Sequence, residues 1–249
     1  MKIKTLFLSD IHLGTKFCQA RKLLQLLKSL ESEDGKQYNV ENLFLIGDII
    51  DFEHLNRKNE WAHEHWQVIQ KFLRMSRKGV NVVYISGNHD LAVSWLKNQS
   101  YGNIMFKDSM IYTVNNGRKY LLLHGHQFDT AIHSMPWLYW LGDTSYTIAL
   151  YINSIFSSCR SLFGYKSEWS LSHWLKSKVK QVVKYASDYE KLVVKYCEKY
   201  GCEGIILGHI HIAANHNIEN IHYLNCGAWV EMCTAVVEYH DGTMELITL

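Results

Sequence analysis

Seven side chains able to hold a metal ion stand just beyond apolar runs of this 249-residue chain: Asp10, His12, Asp48, Asn88, His124, His209 and His211. They fall in Asp10-Ile11-His12, Gly47-Asp48, Gly87-Asn88-His89-Asp90, His124-Gly125-His126 and Gly208-His209-Ile210-His211, at five separate strand exits. Carboxylate, amide and imidazole donors together suit Mn²⁺, Fe²⁺ or Zn²⁺ better than an oxygen-only Mg²⁺ or Ca²⁺ site. One carboxylate can serve two ions. Taken singly, each residue has an ordinary use as a cap, an ion-pair partner or a hydrogen-bonded core group. Seven of them following apolar strands are hard to read as random turns.

The elements that must position them alternate in type. Ile3 through Ser9 reads as a strand, and Phe17 to Leu30 as a helix with Leu23, Leu26, Leu27 and Leu30 on its apolar face. Asn42 through Ile46 returns to a buried strand, and Glu60 through Arg77 to a helix carrying Trp66, Ile69, Phe72 and Leu73. Val80 through Ile85 is the next strand. This order predicts a sheet covered by helices. A hairpin is expected from Ile111–Val114 and Lys119–Leu123 around Asn115-Asn116-Gly117. After a different region, Gly204–Leu207, Ile221–Leu224, Cys233–Tyr239 and Met244–Leu249 read as strands, the last three as closing strands of a second layer.

The intervening region, 128–201, reads as a helical cap inserted into one α/β domain, with helices near Pro136–Phe156 and Ser170–Tyr200. Asp143, Thr144 and Asn153 interrupt its apolar run, which argues against a membrane span. Its aromatic and aliphatic residues suit packing against the cap's own domain, or an acyl-binding groove or bilayer surface.

Composition sets wider bounds. With 47% hydrophobic and 20% charged residues the chain is globular, and a net charge of +2 gives no general attraction for nucleic acid. Six cysteines without a Cys-x-x-Cys spacing fit reduced thiols in a cytoplasmic protein. The N-terminal apolar run ends at Ser9-Asp10 without a signal-peptide cleavage pattern.

In their order, Asp10-Ile11-His12, Gly47-Asp48-Ile49-Ile50-Asp51, Gly87-Asn88-His89-Asp90, His124-Gly125-His126 and Gly208-His209-Ile210-His211 resemble the motifs of the calcineurin-like metallophosphoesterase family. The resemblance implies a layered β-sandwich flanked by helices and two divalent cations, Mn²⁺ foremost, with Fe²⁺ or Zn²⁺ as alternatives. Asp10, His12, Asp48 and His211 would hold one ion, and Asp48, Asn88, His124 and His209 the other. Asp48 would be the shared catalytic bridge. His89 would stabilise the transferring phosphoryl group beside Asn88, with Asp51 or Asp90 as its partner.

Within the family the chain looks like the UDP-2,3-diacylglucosamine pyrophosphatase branch and its close homologues. Trp140-Leu141-Gly142-Asp143, Tyr146 and Trp169-Ser170-Leu171-Ser172 carry that likeness. It implies hydrolysis of a nucleotide-linked lipid precursor to 2,3-diacylglucosamine 1-phosphate and UMP at the inner face of the cytoplasmic membrane, with no obligatory protein partner. Trp137 and Trp140 would receive the apolar part, and Lys176 and Lys180 an anionic group, although surface lysines are ordinarily solvated. Three positions depart from the branch: His89, where its characterised members carry arginine, and His126 and Ala228, where aspartate is common. Hydrolysis of another phosphomonoester or phosphodiester, nucleic acid included, is the alternative, followed by a noncatalytic phosphate-binding scaffold.

Overall fold

Burial on both faces converts short apolar runs into the central strands of this protein. The computed structural model describes residues 2–57, 61–131 and 186–249. Strands β1 (Ile3–Leu8), β2 (Asn42–Ile46) and β3 (Asn81–Ile85) lie side by side and parallel. Alternate side chains divide between two cores, as the two-residue period of a strand requires. Leu6, Leu8, Leu43, Leu45, Val82 and Tyr84 join one, with Leu23, Leu26 and Leu27 of α1 (Ala20–Ser29) and Val68, Phe72 and Met75 of α3 (His63–Arg77). Phe7, Phe44, Ile46, Val83 and Ile85 enter the other.

The second core lies between two sheets. β3 continues through β5 (Ile104–Lys107) to β4 (Ser100–Tyr101), and β1 is flanked by antiparallel β11 (Thr234–Tyr239) and then β12 (Met244–Thr248). The five-stranded sheet runs β6 (Ser109–Thr113), β7 (Lys119–Leu123), β8 (Gly204–Leu207), β10 (Ile221–Asn225) and β9 (Ala214–Ile218). Tyr120, Leu122, Ile206, Leu224 and Cys226 meet the Phe7 and Phe44 face. Phe7 and Phe44 stack at 5.2 Å, an aromatic contact contributing about 0.5–1.5 kcal/mol beyond burial. The result is an α/β sandwich with helices on the outer face of the larger sheet.

Two expectations change. Trp66 leaves the apolar stripe of α3 and is 56% exposed, because the buried face follows His65, Val68, Phe72 and Met75. Of the three strands expected to close the second layer only β10 belongs to it, since β11 and β12 pair beside β1 in the first. The chain divides into Met1–Gln127 with Leu192–Leu249, and Phe128–Lys191. In the latter, the buried rings of Phe128 and Tyr189 meet edge to face at 5.9 Å. Residues 186–199 are helical, while the helix expected near Pro136–Phe156 and the start of the next lie outside the described residues. Among the described residues, no helix is long and apolar enough to cross a membrane.

Candidate metal centre

Parallel pairing brings the exits together. The carboxyl ends of β1, β2 and β3 share one edge of their sheet, and those of β7 and β8 share an edge of the other. Backbone bonds then tie exit to exit: Asp10 N donates to Gly47 O at 3.1 Å, His12 N to Asp48 O at 2.9 Å, and Gly208 N to His124 O at 3.1 Å. Five of the seven sequence-selected residues adopt left-handed backbone: Asp10 (φ 51°), His12 (52°), Asp48 (53°), His209 (71°) and His211 (56°). Such conformations cost non-glycine residues about 1–3 kcal/mol each and gather where geometry serves function.

The loops also approach one another too closely for side chains at two glycines. A Cβ at Gly208 would fall 1.8 Å from Ser9 Oγ and 2.2 Å from Asp10 Oδ2, and one at Gly87 would fall 2.2 Å from Asp48 Oδ1. Glycine there lets the carboxylates sit inside the loops that orient them.

Each inward group is tied on one side and presented on the other. Asp10 Oδ2 lies 2.5 Å from Ser9 Oγ and accepts from His209 N at 3.0 Å, while Asp10 Oδ1 accepts no hydrogen bond although it is buried. Asp48 Oδ1 accepts from His89 N at 2.8 Å, leaving Oδ2 toward the centre. His124 Nδ1 donates to Ile46 O at 2.9 Å, and His12 Nδ1 to Asp51 Oδ2 at 3.1 Å. Those donations leave the Nε2 lone pair of each neutral ring facing inward, the outer-sphere arrangement that prepares imidazoles for metal.

The inward atoms crowd one another. His12 Nε2 and His211 Nε2 are 3.3 Å apart, and His211 Nε2 stands 3.1 Å from Asp10 Oδ1. His124 Nε2 lies 3.2 Å from both Asp48 Oδ2 and Asn88 Oδ1, and His12 Nε2 lies 3.9 Å from Asp48 Oδ2. Three groups have ligand atoms mutually within 4.8 Å: Asp10, His12 and His211; His12, Asp48 and His89; and Asp48, His124 and His209. Facing lone pairs repel unless a proton or cation lies between them. The donor set fits a closely spaced pair of divalent cations.

Protonation reports the same field. Burial disfavours charge on His124, yet Asp48 and Asp10 lift its pKa to about 10. His211 is raised likewise by Asp10 and Asp48 against its burial. Burial alone would raise the Asp10 and Asp48 carboxyls, but neighbouring imidazoles hold both below the usual range. A metal cation answers the same demand for positive charge and must displace imidazole protons to do so.

Asp51 resolves the choice of partner for His89: its Oδ1 lies 3.2 Å from His89 Nδ1, while Oδ2 receives His12. Against burial, Asp51 and the charge of Asp48 raise the His89 pKa to about 9. Asp90 instead folds its loop, accepting from Tyr84 OH at 2.5 Å, Gly87 N at 2.5 Å and Ile49 N at 2.8 Å. His126 is half-buried, its ring 5.6 Å from that of His124, and Ala228 is buried. Sequence reasoning did not single out Ser9 or Asn225, whose Nδ2 holds Gly208 O at 2.8 Å. Adjacency to Asp10 was the available signal for Ser9. Trp137, Trp140, Lys176 and Lys180 lie outside the described residues.

Comparison with known proteins follows the same lines. The sequence profile of calcineurin-like phosphoesterases matches residues 3–213. A search of curated proteins finds no match. Among solved structures, an archaeal phosphodiesterase is 16% identical with a TM-score of 0.49, over 99% of this chain and 100% of that one. The phosphoesterase Yfce from E. coli is 13% identical with a TM-score of 0.46, over 98% of each. Zinc-complexed Vps29 from Entamoeba histolytica is 12% identical with a TM-score of 0.46, over 98% of this chain and 97% of that one.

Proposed function

The chain belongs to the calcineurin-like phosphoesterase family and is a metal-dependent hydrolase, and from that premise we propose that it cleaves a phosphomonoester or phosphodiester with two divalent cations. The carrying observation is the convergence of Asp10, His12 and His211 in one group and of Asp48, His124 and His209 in another, with the buried Asp48 Oδ2 3.9 Å from His12 Nε2 of the first. Asp10, His12, Asp48 and His211 would hold one cation, and Asp48, Asn88, His124 and His209 the other. Their mixed donors favour Mn²⁺, Fe²⁺ or Zn²⁺, with Mn²⁺ our first choice. When bound, the pair neutralises phosphoryl charge and makes water acidic enough to react.

The remaining work falls to the chain's own groups. Asp51 accepts from the His12 ring through one oxygen and faces His89 Nδ1 at ion-pair distance through the other, so one carboxylate bears on both a metal ligand and a phosphoryl partner. His89, whose pKa Asp51 and Asp48 raise in the metal-free protein, is placed to stabilise negative charge growing on the phosphoryl oxygens. The Asn88 amide would fix that group beside it.

UDP-2,3-diacylglucosamine is the second reading. It is favoured by the sequence around Trp140 and Trp169, and opposed by histidine rather than arginine at position 89. Metal-stripped protein reconstituted with Mn²⁺ should be assayed in parallel on an aryl phosphomonoester, a bis-aryl phosphodiester, single-stranded DNA and the lipid nucleotide. Turnover of a simple ester without the lipid nucleotide supports the first reading, and preference for the lipid nucleotide supports the second. Phosphate binding without turnover under Mn²⁺, Fe²⁺ and Zn²⁺ overturns both.

A further inference from the structure

We propose that His65, outside every motif described above, is a positioning residue that secures the turn presenting His12 to metal. This rests on His12 as a metal ligand, a reading that loss of Mn²⁺ binding in His12→Ala tests separately. His65 is 4% exposed and occupies the buried face of α3, where Val68, Phe72 and Met75 supply packing. A histidine on such a face calls for a polar partner. It has one: Nδ1 accepts the Gly14 amide at 3.1 Å, across fifty-one positions of sequence.

Gly14 is where the His12 turn is most constrained. Its φ of +106° suits glycine, and a Cβ would fall 2.8 Å from Leu55 Cγ in α2 (Phe52–Arg57). The turn closes immediately beside it, with Thr15 N and Oγ1 both donating to His12 O, at 3.2 and 3.0 Å. Leu13 N donates to Ile49 O, and Asp51 N to Leu13 O, each at 2.9 Å. The loop after β2 thus fixes Leu13 through both its amide and its carbonyl, and the turn itself holds Thr15, but the Gly14 amide is fixed from α3 alone among the described residues. Without an acceptor there, a buried donor would have to turn toward water, and the left-handed backbone of His12 would turn with it.

Accepting through Nδ1 requires the ring to carry its proton on Nε2. Burial, opposed by the charge of Glu64, lowers the His65 pKa and favours that neutral form. His65 also lines a groove of ≈ 490 Å³ with Thr15, Gln19 and Trp61, so the proposed arrangement needs no second buried protein acceptor.

The test compares full-length His65→Leu with His65→Gln, whose side-chain oxygen can replace the acceptor. Isothermal titration with Mn²⁺ is expected to show affinity reduced about 10-fold or more in the leucine variant and largely restored in the glutamine variant. Excess Mn²⁺ should recover kcat in the leucine variant with little change in KM. Unchanged Mn²⁺ affinity in a folded leucine variant overturns the proposal, as does equal impairment of both variants. Should His65→Leu fail to fold, ¹⁵N NMR of the wild-type ring decides: a proton on Nε2 with Nδ1 bare supports the proposal, and a proton on Nδ1 overturns it.

Discussion

Two buried carboxylate sites in this protein are built to opposite rules. Glu238 is fully buried between the sheets, and both its oxygens have donors: Thr5 Oγ1 and Tyr112 OH each donate to Oε2 at 2.6 Å, and Asn115 N donates to Oε1 at 2.8 Å. Lys4 Nζ adds charge at 3.8 Å. Asp10, equally buried, gives one oxygen to Ser9 and the His209 amide and turns the other to His211 Nε2, 3.1 Å away in the ligand cluster. Giving each oxygen its own donors makes a carboxylate structural, since burial is then compensated. Turning one oxygen toward imidazole nitrogens instead leaves its charge to be matched by a proton or by a cation.

Breaking the ligand cluster should have the largest effect. Asp48→Asn removes the charge of the proposed bridge, so turnover is expected to fall on the order of 10³-fold, with less metal retained. Elemental analysis alongside kcat/KM checks both halves. Next comes His89→Ala, which should keep its metal and lose about 10²-fold in kcat, because its assigned partner is the phosphoryl group. Unchanged kcat at full metal content would remove that role.

A smaller effect concerns pH. With the His124 pKa lifted to about 10 in the metal-free protein, neutral solution leaves the ring protonated, and a cation must displace that proton. Apparent Mn²⁺ affinity should therefore rise with pH, by about tenfold per unit for each proton displaced. Titrations between pH 6 and about 8 in buffers of different ionisation enthalpy would show the released proton directly. A flat affinity would contradict this exchange. Smallest at the metal should be Glu238→Gln: roughly 1–3 kcal/mol of stability lost through an unpaired buried group, with Mn²⁺ affinity unchanged. Thermal unfolding and titration together would show whether the two carboxylate classes are independent.

The same contrast explains what the sequence could reveal. β1, β2, β3, β7 and β8 read clearly because burial on both faces makes near-continuous apolar runs, and their polar ends then stood out as a ligand set. β9, Ala-Asn-His-Asn-Ile on a sheet edge, carries mostly exposed polar residues and shows no such run. β4 and β5 are short and partly exposed. The pairing of β11 beside β1 is invisible locally, since a strand buried on both faces does not name its neighbour. Asp51 stood inside a motif, yet choosing it over Asp90 for His89 required loop geometry. His65 was hidden because one histidine in an apolar stripe reads as packing until Gly14 is brought to it.

The most direct test of the central claim is stoichiometric reactivation. Protein stripped of metal is titrated anaerobically with Mn²⁺ while bound metal and hydrolysis of a bis-aryl phosphodiester and an aryl phosphomonoester are followed together. The account predicts no turnover in chelator, two ions bound per chain, and activity that becomes full only as the second is taken up. Full activity in chelator, or a single bound ion at maximal rate, would contradict it.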